Sequence, residues 1–262
     1  MQKKEKVEER KLIFISNDDG INAMGIKVLT EIAEPYGDVV IVAPETGQSG
    51  KSHSISTINP LRIRKIKNIK GMEKYSVYGT PVDCVKLAMN EIFKRPPDIM
   101  LSGINHGSNA AINVIYSGTM AAAIEASLLG IPSIGFSIDD HKSNTDFTIV
   151  KKYAHKIIEN VLKNGLPNQV CLNINFPKTT EEEFKGYRIC RQTSGVWREA
   201  FVKREDPFGH DYYWYAGKLH NLEPDNNSTD IWAIENNYAA IVPVKADLTS
   251  YDFLNELKTW NL

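Results

Sequence analysis

KLIFISNDDGINAMG, Lys11 to Gly25, is the stretch on which the reading of this chain turns. Leu12 to Ile15 is a short continuous apolar run, the pattern of a strand buried on both faces. It ends at Ser16-Asn17, and two adjacent carboxylates, Asp18 and Asp19, precede Gly20. Side-by-side acids at the carboxyl end of a buried strand repel each other unless a cation or a proton lies between them. In open α/β sheets that edge is also where ligands bind. Asn, Asp and Gly are equally the residues of an ordinary β-turn, so the stretch alone supports both readings.

Outward from it, strand and helix signals alternate. Gly25 to Ala33 has helical spacing and Pro35 closes it; Asp38 to Ala43 is a second buried strand, followed by the polar loop PETGQSGKSHS, Pro44 to Ser54. Leu61 to Lys70 alternates apolar and basic residues, a half-exposed strand or hairpin whose charges face solvent. Tyr75 to Tyr78 is a core strand running into Gly79 to Phe93. There Thr80 caps a helix, Pro81 is its first residue and Asp83 faces its positive end. Ile99 to Leu101 is the next strand, and Ser102 to Thr119 a long polar loop. A helix over Met120 to Leu129, a strand at Ser133 to Ser137, a helix over Asp146 to Leu162 and a strand at Val170 to Asn175 follow. The repetition predicts a mostly parallel sheet covered on both faces. From Tyr187 the texture changes to aromatic and charged strand-like segments, with a turn at Asp206-Pro207-Phe208-Gly209. This reads as a hairpin, either an oligomerisation arm or an antiparallel extension of the sheet. A strand at Tyr238 to Val244 and a helix at Tyr251 to Trp260 close the chain.

The totals exclude some functions. Thirty-one Lys and Arg balance 32 Asp and Glu, so no global field draws the chain to nucleic acid or membrane. No apolar run is long enough to cross a bilayer. Cys84, Cys171 and Cys190 stand in no metal-ligand spacing and read as core residues of a reduced, cytoplasmic protein. MQKKEKVEER, residues 1–10, has no apolar segment and reads as a solvated leader, not a signal peptide.

Three polar loops, Asn17 to Gly20, Pro44 to Ser54 and Ser102 to Thr119, follow three strands, so a parallel sheet places them along one edge. Together they offer two carboxylates, hydroxyls, asparagines and glycines. Such hard oxygen ligands suit Mg²⁺ or Mn²⁺, and Mg²⁺ is commonly shared between one or two carboxylates and a substrate phosphate. Ser117-Gly118-Thr119, opening a helix, adds an anion site. The residues alone thus point to a metal-assisted phosphate site.

SNDDG (16–20), APETGQSGKSHS (43–54), YGTPVDC (78–84), SGINHGSN (102–109) and YSGT (116–119) resemble, in order, the motifs of the SurE family of stationary-phase survival proteins. LNINFP (172–177) and the STD and ADLT segments between Ser228 and Thr249 continue the resemblance more loosely. It implies a 5'-nucleotidase that hydrolyses nucleoside 5'-monophosphates, with one divalent metal ion, Mg or Mn, on Asp18, Asp19, Ser49 and Asn105. It also implies one domain over 1–262, a three-layer αβα sandwich with a Rossmann-like, mostly parallel sheet. The protruding C-terminal β-hairpin arm, about 187–217, would join subunits into a homodimer or homotetramer. On this reading Asp18 or Asp19 accepts a proton from the attacking water. Asn105, Gly107, Ser108, Ser117, Gly118 and Thr119 then hold the phosphoryl group. His53 and His106 are candidates for protonating the leaving oxygen, or else hydrogen-bond within their loops. Two segments depart from the family pattern. Asn109-Ala110-Ala111 stands where many relatives have NLG, and Asn236 to Ala240 replaces a glycine-containing strand. The rival reading is a nucleotide-binding stress sensor without turnover.

Overall fold

The computed structural model describes residues 10–66, 72–142 and 144–262. Nearly all of the 1–10 leader and the end of the 61–70 strand lie outside them. The core is a nine-stranded sheet. Its strands are β1 (Lys11–Ser16), β2 (Gly37–Pro44), β3 (Arg62–Ile66), β4 (Glu73–Tyr78), β5 (Ile99–His106), β6 (Ser133–Ile138), β7 (Val170–Phe176), β8 (Tyr187–Ile189) and β11 (Ala239–Lys245). Their order is β3-β4-β2-β1-β5-β6-β7-β11-β8. The six strands from β4 to β7 run parallel; β3 and β11 pair antiparallel to their inner neighbours. Among the parallel strands the order reverses between β1 and β5. That is the switch point where an α/β sheet opens a crevice.

The apolar run of β1 is buried on both faces because helices cover both. Ile13 and Ile15 pack with α1 (Met24–Ala33) and α4 (Thr148–Asn164) in one core cluster. Phe14, on the opposite face, packs with α2 (Pro81–Leu87) and α3 (Gly118–Leu128). The three-layer αβα expectation holds. Thr80 and Asp83 form a reciprocal capping box at the start of α2, and β3 is a solvated strand, as its charges predict. All three cysteines are free and buried. Among the described residues no helix is long and apolar enough to cross a membrane.

Three expectations need correcting. The predicted loop Ser102 to Thr119 is strand as far as His106, and a 3₁₀ turn occupies Ala111–Ile115. The polar letters SGINH look like loop, yet β6 supplies backbone partners on one side, with a register shift between Ser102 and Asn105. Tyr187 to Ile189 does not belong to the arm; β8 pairs parallel with β11 in the main sheet. The arm is a separate two-stranded hairpin, β9 (Gly195–Glu205) with β10 (Asp211–Asn221). A short helix not expected from the sequence, α5 (Asp230–Glu235), packs against β11, and α6 (Tyr251–Leu257) is shorter than predicted.

A buried polar network fixes the loop after β5. Asn175 Oδ1 accepts from the Asn109 N–H (2.7 Å) and the Ser108 hydroxyl (3.3 Å). Asn109 Nδ2 donates to Ser137 Oγ (2.8 Å), and Asn173 Nδ2 donates to the Asn109 carbonyl (2.8 Å). A buried group that loses its partner costs about 1–3 kcal/mol. Asn175→Ala is therefore expected to lower stability by at least that amount, about 1–3 kcal/mol, in urea unfolding; no measurable change would contradict this role.

Candidate functional site

The three polar segments meet at the switch point as the parallel sheet requires, and specific bonds stitch them together. The Gln48 N–H donates to the Asp18 carbonyl (2.7 Å), holding the Ser49 loop against the end of β1. Further along that loop the Ser52 hydroxyl donates to the Ile115 carbonyl (2.5 Å), and the Ser52 N–H donates to the Tyr116 carbonyl (3.2 Å). Asn17 Nδ2 donates to the Gly20 carbonyl (3.0 Å), so the turn residues do make a turn, one that aims the two acids.

Asp18 is 3% exposed. Its carboxylate sits against the start of α3, where the Thr119 hydroxyl donates to Oδ1. The approach depends on Gly118: a Cβ there would lie 2.7 Å from Asp18 Cβ. The helix start thus serves first as an anion site for a carboxylate of the protein itself. Burial pushes the Asp18 carboxyl up to about 6; the Thr119 hydroxyl opposes that, and the neighbouring Asp19 adds to it. Asp19 is raised too, by burial, with His106 pulling the other way. Asp19 Oδ2 and Asn17 Oδ1 are buried with no hydrogen-bond partner. Asn105 spends its Nδ2 on the Gly107 carbonyl (2.8 Å), which leaves its Oδ1 as the available donor atom. Among the described residues no group of three or more His, Cys, Asp or Glu converges on a metal geometry. A cation here would need neutral oxygens beside the two acids, which is the donor set present.

Asp18, Ser49, Asn105, Ser108 and Ser117 line one cleft of about 910 Å³, together with His106. Gly107, Gly118 and Thr119 are buried and do not line it. The hydroxyls are partly committed: Ser117 Oγ accepts from the Met120 N–H (3.0 Å), and Thr119 is spent on Asp18. The two histidines separate. His53 Nε2 lies 2.9 Å from the buried Glu125, which also receives Lys86, so His53 ties its loop to α3 and does not line the cleft. His106 lines it, with Nδ1 3.2 Å from Thr145 Oγ1.

Sequence reasoning missed several lining residues. Asp139 follows β6 on the same sheet edge, its carboxyl raised by burial, and the rule that found Asp18 applies to it equally. Asn113, Tyr116, Trp197 and Tyr215 carried no motif; the hairpin brings the last two in from far along the chain.

The profile of the family described as Survival protein SurE matches residues 13–199. The chain belongs to the SurE family. It is 52% identical over 256 residues to 5'-nucleotidase SurE of Flavobacterium johnsoniae, covering 97% of this chain and 98% of that protein. It is 45% identical over 257 residues to 5'-nucleotidase SurE of Bacteroides fragilis, covering 97% and 99%. The crystal structure of the SurE protein from Aquifex aeolicus superposes with a TM-score of 0.81 at 37% identity, over 94% of this chain and 98% of that one. The SurE fold therefore extends over the cleft and the strands that build it. The Asn109-Ala110-Ala111 departure is absorbed: Asn109 is locked by Asn175, and Ala111 adopts a positive φ of 53° with its N–H donating to Asp230 (2.9 Å).

The raised Asp18 carboxyl has a thermodynamic sign. The folded state holds a proton that the unfolded chain releases near 3.8, so this contribution is full below pH 3.8 and is lost as pH rises through about 6. Asp18→Asn removes it. The stability of metal-free wild type relative to Asp18→Asn is expected to fall by about 3 kcal/mol between pH 3.8 and 7. A difference that stays flat with pH in urea unfolding would contradict the buried, proton-holding carboxyl.

Proposed function

We propose that this chain is a divalent-metal-dependent phosphomonoesterase, a 5'-nucleotidase that converts nucleoside 5'-monophosphates to nucleoside and phosphate. The observation that carries the reading is the adjacent Asp18-Asp19 pair at the switch point. Burial raises both carboxyls, and one oxygen, Asp19 Oδ2, has no partner inside the protein. The names of the relatives support the substrate class.

Asp18, Asp19, Ser49 and Asn105 would hold one divalent ion, Mg²⁺ or Mn²⁺; the all-oxygen donor set fits a hard cation. Such an ion, when bound, polarises a phosphoryl oxygen and lowers the pKa of water. The protein's own groups supply the rest. Thr119 and the start of α3 hold the Asp18 carboxylate in place, and Asp19 accepts the proton of the attacking water. Asn105, Ser108 and Ser117 face the phosphoryl oxygens, while the predicted Gly107, Gly118 and Thr119 are buried behind them and act through their neighbours, Gly118 making room for Asp18 and Thr119 holding it. The unit works as a single domain in the cytoplasm. The exposed aromatic end of the hairpin, with Phe208 84% and Trp214 63% exposed, supports a homodimer or homotetramer joined through it.

Phosphate release from AMP and GMP should require Mn²⁺ or Mg²⁺, stop with EDTA, and fall about 10²-fold or more in a folded Asp18→Asn protein. Full activity in that variant would sink the role of the acid pair. No release from any nucleoside monophosphate with either metal would favour a binding protein without turnover.

A further inference from the structure

One wall of the cleft is made by the base of the hairpin. β9 and β10 pair Trp197 with Leu219, Glu199 with Gly217 and Phe201 with Tyr215. Side chains two residues apart on a strand share a face, so these six positions lie on one face of the hairpin. Gly217 admits the indole onto that face: a Cβ there would lie 3.3 Å from the Trp197 ring and 3.0 Å from the Arg198 carbonyl oxygen. The indole and the Tyr215 phenol lie next to each other, with ring centroids 6.4 Å apart. Trp197 is half-buried and pinned from beneath, since Nε1 donates to Asn113 Oδ1 (2.9 Å), and Asn113 sits in the 3₁₀ turn that follows the phosphate-side loop. Both rings line the cleft that also holds Asp18, Asn105 and Ser117.

From this geometry we infer that Trp197 and Tyr215 form the platform on which the base of the nucleotide stacks. The inference rests on the nucleotidase reading for the phosphate end of the cleft, and it adds the specificity end. Pinning the indole at Nε1 spends its polar group on the protein and leaves its π-face for the ligand. Stacking of that kind tolerates every base, because each has a π-face, and it discriminates bases from sugar phosphates that lack one. The loop carrying Asn113 connects the two ends, so a nucleotide held by its phosphate is presented to the indole.

Binding without turnover separates this inference from the reading it rests on. AMP and ribose 5-phosphate are titrated calorimetrically, in EDTA, into the full-length wild type, Trp197→Ala, Trp197→Phe and Tyr215→Ala. The ratio of ribose 5-phosphate Kd to AMP Kd is expected to drop about 5- to 150-fold in Trp197→Ala, less in Tyr215→Ala, and to survive largely in Trp197→Phe. An unchanged ratio in Trp197→Ala, equal loss in Trp197→Phe, or no preference for AMP in the wild type overturns the platform. Phosphate release from AMP with metal, measured separately on wild type, decides the nucleotidase reading alone.

Discussion

Two carboxylates side by side at the end of a buried strand are the constraint around which the rest of this molecule is arranged. Removing a single charge from water costs several kcal/mol unless it is compensated, and here a second acid of the same sign stands next to it. The fold answers in part. Thr119 and the first turn of α3 are brought against Asp18, and Gly118 permits that contact because any side chain there would strike the acid. The compensation is incomplete, since both carboxyls remain raised and Asp19 Oδ2 keeps no partner. A site left electrostatically unsatisfied in this way is disposed to bind a cation, and burial strengthens that disposition.

The sheet places this tension where it is useful. Reversal of strand order between β1 and β5 opens the crevice between the two strands that carry Asp18-Asp19 and Asn105. Loops from β2 and β5 are then held by directional bonds: Gln48 to Asp18, Ser52 to Ile115 and Tyr116, and His53 to Glu125. Bonds of this kind hold the Ser49 loop against the end of the strand that carries the acids.

Much of this was legible in the amino-acid order. Strands buried on both faces announce themselves as unbroken apolar runs, which is why β1, β2 and the core of β6 were found. The capping box of α2 is written within four consecutive positions, Thr80 to Asp83. What stayed hidden depends on partners far away in sequence. The SGINH half of β5 is polar and reads as loop, because its place as a strand comes from β6 and not from its own side chains. Parallel pairing of β8 with β11 spans about fifty residues and leaves no local mark. The Asn109-Asn173-Asn175 network is likewise a matter of tertiary contact, and asparagines separated in this way look like surface residues one at a time. The cleft follows the same division. Its acids and phosphate-side residues lie in motifs, whereas Trp197 and Tyr215 enter only because a hairpin folds back over the edge of the sheet.

The most direct measurement is anomalous scattering from crystals of the full chain grown or soaked with Mn²⁺. A single peak within coordination distance of Asp18, Asp19, Ser49 and Asn105, lost in Asp18→Asn crystals, is the predicted result. A clean anomalous map with no density at the acid pair, or with the ion bound by other residues of the cleft, would contradict the assignment of that pair as the centre of the site.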